Sequence, residues 1–115
     1  MNDPTVKTIT CADLHRASLN GPIDLIDVRT PEEFADVRAA GARNMPLDAL
    51  NPAAILEQRV SQPDAPLYFI CAVGGRSEWA CRMMHAAGVE NVVNVEGGTQ
   101  AWCFGGLPTV SGPIT

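Results

Sequence analysis

Leu67-Tyr68-Phe69-Ile70-Cys71-Ala72-Val73-Gly74-Gly75-Arg76-Ser77 runs from an apolar segment into a glycine pair, an arginine and a serine. The residues that follow, Glu78 to Ala87, repeat apolar side chains at helical spacing. The pattern predicts a strand that ends at Cys71, a tight turn, and a helix that starts at about Glu78. Backbone N–H groups of a glycine-rich turn and of a first helical turn lack intrachain partners, and they sit at the positive end of the helix dipole, so the junction is suited to an anion. A thiol placed there ionises readily: a helix N-terminus and a neighbouring arginine bring a cysteine pKa from about 8.5 down to roughly 3.5–7.5. Cys71 is therefore a candidate nucleophile, Ala72, Val73, Gly74, Gly75, Arg76 and Ser77 are its anion-binding loop, and Arg76 is the candidate charge partner. The competing reading is that Cys71 is an inert, buried small hydrophobe. Two consecutive glycines followed by arginine and serine weigh against it, because a loop made only to turn the chain needs one glycine.

Outward from this stretch, the remaining elements alternate. Lys7 to Thr10 reads as a short strand, and Thr10 with Asp13 as the cap of a helix to about Leu19. Ile23 to Val28 is a β-rich run with two acids, whose carboxyl end carries Asp27 and Arg29. Thr30-Pro31-Glu32-Glu33-Phe34 has a cap threonine, proline at the first helical position and glutamate at the capping-box position, with Phe34 and Val37 turned to the core. Ala42 to Pro46 is an extended connection, Asn51-Pro52 opens a helix to about Val60, and Asn91 to Val95 is a further buried strand before Gly97-Gly98. A short helix is expected around Gln100 to Cys103, and a loose tail from Ser111. On the helix after the cysteine loop, Trp79, Ala80, Met83, Met84 and Ala87 fall on one face, taken as the buried one, which leaves Cys81 and His85 as neighbours on the opposite flank. Trp102 and Phe104 read as core plugs.

Strands alternating with helices over short connections imply an α/β domain around a mostly parallel sheet of about five strands flanked by helices, in three layers. Ligands of such sheets bind outside the carboxyl ends of the strands. Asp27-Val28-Arg29, the Cys71 loop and Gly97-Gly98 each follow a strand, so topology predicts that they converge on one rim. Asp27 and Arg29 are expected as supporting residues, with an Arg29 ion pair to Glu32 or Glu33 at the helix start.

Composition sets the outer bounds. A chain of 115 residues is one domain, with its core at about residues 6–110. The net charge of −5, with a single lysine and no basic run, argues against nucleic acid and against an anionic membrane surface, both of which need clustered positive charge. No stretch approaches the ~18 apolar residues of a membrane span, and the amino terminus lacks a signal pattern, so the expected location is cytoplasmic. Cys11, Cys71, Cys81 and Cys103 lack CxxC spacing, and with only His15 and His85 beside them no metal site and no cofactor is expected.

Four segments together resemble the rhodanese-like sulfurtransferase domain from Thr8 to Val110: Asp27 to Phe34, Gly41 to Pro46, the loop at Cys71, Gly74, Arg76 and Ser77, and Gly97 to Trp102 with Gly106-Leu107-Pro108. The resemblance implies a six-residue active-site loop, Cys71 through Arg76, with its amides aimed at the sulfur. It also implies a ping-pong cycle. Cys71 takes the sulfane sulfur of a small anion such as thiosulfate and passes it, through a persulfide, to a cyanide, thiol or protein acceptor. A carrier or interaction module with little thiosulfate turnover is the alternative. A cysteine phosphatase or arsenate reductase is more remote, because that signature places one residue more between cysteine and arginine than Ala72 to Gly75 provide. The chain departs from the family pattern at Val37 to Ala42, where many members carry a glycine-histidine-isoleucine-proline run.

Overall fold

The structure, a computed structural model, describes residues 5–113. Among the described residues seven strands and five α-helices follow one another: β1 (Lys7–Ile9), α1 (Cys11–Ser18), β2 (Asp24–Asp27), α2 (Pro31–Asp36), β3 (Arg38–Ala39), β4 (Arg43–Asn44), a 3₁₀ turn at Leu47–Ala49, α3 (Pro52–Glu57), β5 (Leu67–Ile70), α4 (Gly75–Ala86), β6 (Val92–Val95), α5 (Gly98–Phe104) and β7 (Thr109–Val110). Five of the strands form one parallel sheet in the order β1-β6-β5-β2-β4. The expected three-layer α/β architecture is what the chain adopts.

Alternation along the central strands makes the two cores. Ile26, Phe69 and Val92 turn to one face, where they pack with Ile55 of α3 and with Ala80, Cys81 and Met84 of α4. Their neighbours Leu25, Tyr68, Ile70 and Val93 turn to the other, against Leu14 of α1 and Trp102 of α5. Side chains of a strand point alternately to opposite faces, so strands buried at every position, as β2, β5 and β6 are, belong between two helical layers.

The start signals act as read. Thr10 accepts the Asp13 amide, and Asn51 accepts the Ala54 amide. Thr30 and Glu33 form a full capping box, which satisfies amides of the first turn of α2 reciprocally.

Several expectations are corrected. The buried face of α4 is Ser77, Ala80, Cys81 and Met84, an i, i+3, i+4, i+7 stripe, while Trp79 is 59% exposed. Cys81 is thus a core residue and not a surface neighbour of His85. Phe104, at the end of α5, is 94% exposed; Trp102 is buried and donates its Nε1–H to Pro108 O at 2.7 Å. Helix α3 stops at Glu57, short of Val60, because the buried carboxylate of Asp24 captures the Val60 and Ser61 amides.

The segment that departs from the family pattern, Val37 to Ala42, builds an antiparallel ribbon of β3 with β7. Arg38 anchors it, its guanidinium 4.7 Å from the centre of the Phe34 ring and donating to Gly112 O at 2.7 Å. Of the tail expected to be loose from Ser111, Gly112 donates its amide to Ala35 O, and residues 114 and 115 lie outside the described residues.

Candidate active site

All strands of the main sheet point their carboxyl ends to one rim, and the three motifs meet there. After β5 the chain turns through Cys71 to Gly74 and enters α4 at Gly75. Gly74 has φ of +121°, a conformation that L side chains rarely adopt, and this bend brings its amide back to Cys71 Sγ at 3.0 Å. Gly75 has open space where a Cβ would stand, so the second glycine leaves the mouth of the loop clear.

Helix α5 holds the loop from behind. The Thr99 amide donates to Cys71 O at 2.8 Å, and the Gln100 amide to Ala72 O at 3.0 Å. A trans peptide points its N–H opposite to its C=O, so fixing these two carbonyls toward α5 turns the Ala72 and Val73 amides away from it, and the Val73 amide is one of the donors to Cys71 Sγ. Gly98, with φ of +59°, lies in van der Waals contact with this backbone.

Cys71 is only 1% exposed, and burial by itself raises its pKa. Hydrogen bonds outweigh burial: the Ser77 hydroxyl at 3.3 Å first, then the backbone amides of Ser77, Gly74 and Val73, which together hold the thiol below its ordinary value. The anion is thus stabilised by one hydroxyl and a ring of amides. Cys81 contrasts with it: fully buried without such donors, its thiol is pushed up to about 12, foremost by desolvation.

Arg76 does not bond to the sulfur. Its guanidinium closes on Glu33 of α2 through two bonds, Nη1 to Oε1 at 2.8 Å and Nη2 to Oε2 at 2.9 Å. It bears on Cys71 as a nearby charge, and it clamps α2 to the start of α4. The expected partner of Glu33, Arg29, is instead turned to Asp27. That carboxylate receives the Arg29 Nε at 3.1 Å and Nη2 at 2.9 Å as well as its amide, and Arg29 also donates to Val37 O. Both are buried, so the pair braces the end of β2.

Two asparagines that sequence reasoning passed over complete the frame. Asn44 of β4 donates to the carbonyls of Asp27 and Arg29 at 2.9 and 3.0 Å. Asn94 of β6 accepts from Ser77 and donates to Gly74 O at 3.2 Å. The signal for Asn94 was a lone amide inside the apolar run Val92 to Val95.

A hollow lies on either flank of the loop, and Cys71 itself lines neither. Ala72 and Val73 border a pocket of about 240 Å³ together with Arg29, Val37, Thr99 and Cys103. Arg76 borders a groove of about 440 Å³ with Thr30, Leu47, Trp79 and Met83.

The sequence family described as the rhodanese-like domain matches residues 10–104. A curated relative, the uncharacterized protein slr1261 of Synechocystis, is 35% identical over 103 residues, which cover 90% of this chain and 55% of that protein. The tRNA uridine(34) hydroxylase of Xanthomonas campestris is 37% identical over 79 residues, 67% of this chain and 31% of the hydroxylase. The chain thus spans about half of the first of these relatives and about a third of the second. Among solved structures, the human single domain sulfurtransferase TSTD1 matches with a TM-score of 0.70 and 25% identity, over 87% of this chain and 97% of that one.

Proposed function

The chain belongs to the rhodanese-like domain family, and from that membership and the surroundings of Cys71 we propose that it is a sulfurtransferase working through a Cys71 persulfide. The observation that carries the proposal is the ring of donors on one sulfur: Gly74 N–H, Ser77 O–H and the further loop amides, with no carboxylate bonded to that sulfur among the described residues. In the first half-reaction the Cys71 thiolate attacks the outer sulfur of thiosulfate. The S–S bond of the donor breaks, its electron pair leaves with sulfite, and Cys71 carries S–S⁻. In the second, an acceptor thiolate attacks that outer sulfur, and the pair of the breaking bond returns to Cys71 Sγ. Each step replaces one S–S bond by another or by an acceptor–sulfur bond and needs no external oxidant. Amide donors fixed before the reaction stabilise the anion without reorganising.

A likeness to TSTD1 over nearly all of that sulfurtransferase supports transfer as the task of the single domain. The four-residue span between Cys71 and Arg76 makes a small cradle, and Arg76 is engaged by Glu33, both of which favour sulfur over a phosphoryl group. Incubation with thiosulfate is expected to add one sulfur atom to the peptide containing Cys71, read by mass spectrometry, and to release sulfite. Cys71→Ser abolishes both; sulfite release at the wild-type rate by that variant sinks the mechanism.

A further inference from the structure

Asn94 stands in the middle of the sheet, on a strand otherwise made of valines, and is 6% exposed. Burying a carboxamide there is unfavourable unless its hydrogen bonds are made. They are made entirely to the machinery of Cys71. Nδ2 donates to Gly74 O at 3.2 Å, which fixes the orientation of the amide, and Oδ1 receives the Ser77 hydroxyl.

Ser77 has one hydroxyl proton and three acceptors within reach: Asn94 Oδ1, Gly74 O at 3.2 Å and Cys71 Sγ at 3.3 Å. Gly74 O already receives the Glu78 amide at 3.1 Å and Asn94 Nδ2, so its two lone pairs are in use. The proton therefore has two real destinations, the amide oxygen and the sulfur. A neutral sulfur is a weak acceptor and loses to an amide oxygen; a thiolate makes a charge-assisted bond and wins.

We propose that Asn94 is a positioning residue for Cys71, holding the Ser77 proton while Sγ is uncharged and yielding it when Sγ carries the negative charge. The consequence for transfer rests on the persulfide reading above. In the persulfide the charge lies on the outer sulfur, Sγ is neutral, and Ser77 turns to Asn94. As an acceptor takes the outer sulfur, the electron pair returns to Sγ and Ser77 turns back to it. Ser77 then stabilises Sγ as charge develops there and not before, which is the condition for lowering a barrier rather than only binding a ground state. The other charged groups around the site are paired and do not compete for this proton: Arg76 of α4 with Glu33 of α2, and Arg29 with Asp27 at the end of β2.

The test reads Cys71 ionisation directly, as the pH dependence of iodoacetamide alkylation. Asn94→Leu removes the nearer competing acceptor, leaving Gly74 O at 3.2 Å, which still holds the Glu78 amide, as the alternative to Sγ, and should raise the thiolate fraction below the midpoint by up to roughly threefold to tenfold, the size of one hydrogen bond. Asn94→Asp, an ionised and stronger acceptor, should move the midpoint the opposite way. In a Ser77→Ala background, Asn94→Leu should do nothing further. In the wild-type protein, which needs no variant to fold, the side-chain amide resonances of Asn94 should titrate with the midpoint of Cys71. An Asn94→Leu shift of equal size with and without Ser77, no shift at all, or amide signals indifferent to Cys71 ionisation overturns the proposal. None of these readouts uses sulfite release, so absent thiosulfate turnover with intact midpoint shifts would remove the substrate reading and leave that of Asn94.

Discussion

The α-carbon of Gly98 lies against the carbonyl of Cys71: a methyl group built on it would stand 2.5 Å from Cys71 O and 2.6 Å from the carbonyl carbon and oxygen of Ala72. The atoms in the way are backbone, so no side chain can swing aside. Gly98→Ala must move the cysteine loop or the start of α5, and it also places a β-carbon at a φ of +59°, a strain of about 1–3 kcal/mol. Urea denaturation should show a loss at least that large, and alkylation of Cys71 at fixed pH should slow, because the loop amides no longer face the sulfur. Unchanged alkylation in a destabilised Gly98→Ala protein would mean that α5 supports the fold without setting the loop.

Glu33 links the site to acid stability. Its carboxyl is held down to about 2, first by the Arg76 guanidinium and also by the Thr30 amide and hydroxyl, against some desolvation. A carboxyl depressed in the folded state contributes stability that is complete above its unfolded value, about 4.5, and is lost as pH falls toward about 2. The pair is partly exposed, so the contribution is small, about 0.5–1 kcal/mol. Denaturation midpoints followed across that interval should fall more steeply for the wild type than for Glu33→Gln. Parallel curves would show that the clamp between α2 and α4 carries no net stability.

Much of this was legible in the chain, and the failures have identifiable causes. The cap at Thr30-Pro31-Glu32-Glu33, the alternating strands and the glycine pair after Ile70 are local signals, and each produced the element expected of it. What sequence reasoning misplaced depends on which face a helix turns inward. Hydrophobicity groups Trp79 and Met83 with Ala80 and Met84, but α4 has to bring Ser77 to the sulfur, and that rotation keeps Ala80 and Met84 buried, adds Cys81 and sends Trp79 outward. Arg29 has the same character: spacing favours Glu32 or Glu33 at the helix start, and only the fold gives Asp27 to Arg29 and Glu33 to Arg76. Asn94 acts across the sheet on residues distant in the chain, and a buried polar residue in a strand does not announce its partner.

That rotation of α4 has a measurable outcome. Met84 of α4 is fully buried against β5 and β6, so Met84→Ala leaves a cavity and should cost about 2–5 kcal/mol. Trp79→Ala removes a larger side chain from the surface and should stay within about 0.5 kcal/mol. Met84 is buried on either reading, so its urea midpoint is the standard against which that of Trp79→Ala locates Trp79. A larger loss from Trp79→Ala would restore the reading of Trp79 as core.

Asp27 and Arg29 form a buried ion pair, and such pairs are costly to break and often dispensable as pairs. Asp27→Ala leaves the guanidinium with Val37 O as its remaining acceptor and should cost about 3–5 kcal/mol. Asp27→Leu combined with Arg29→Met removes both charges and should cost less than the single change, since neither ion is then left uncompensated. Among the described residues the pair's hydrogen bonds go neither to the sulfur nor to its donors, and Asn44 holds the carbonyls at the end of β2 independently. The folded double variant should therefore alkylate at Cys71 with the wild-type pH midpoint. A displaced midpoint would give the pair an electrostatic part in setting the thiolate, and a double variant less stable than the single one would show the pair to be a net source of stability.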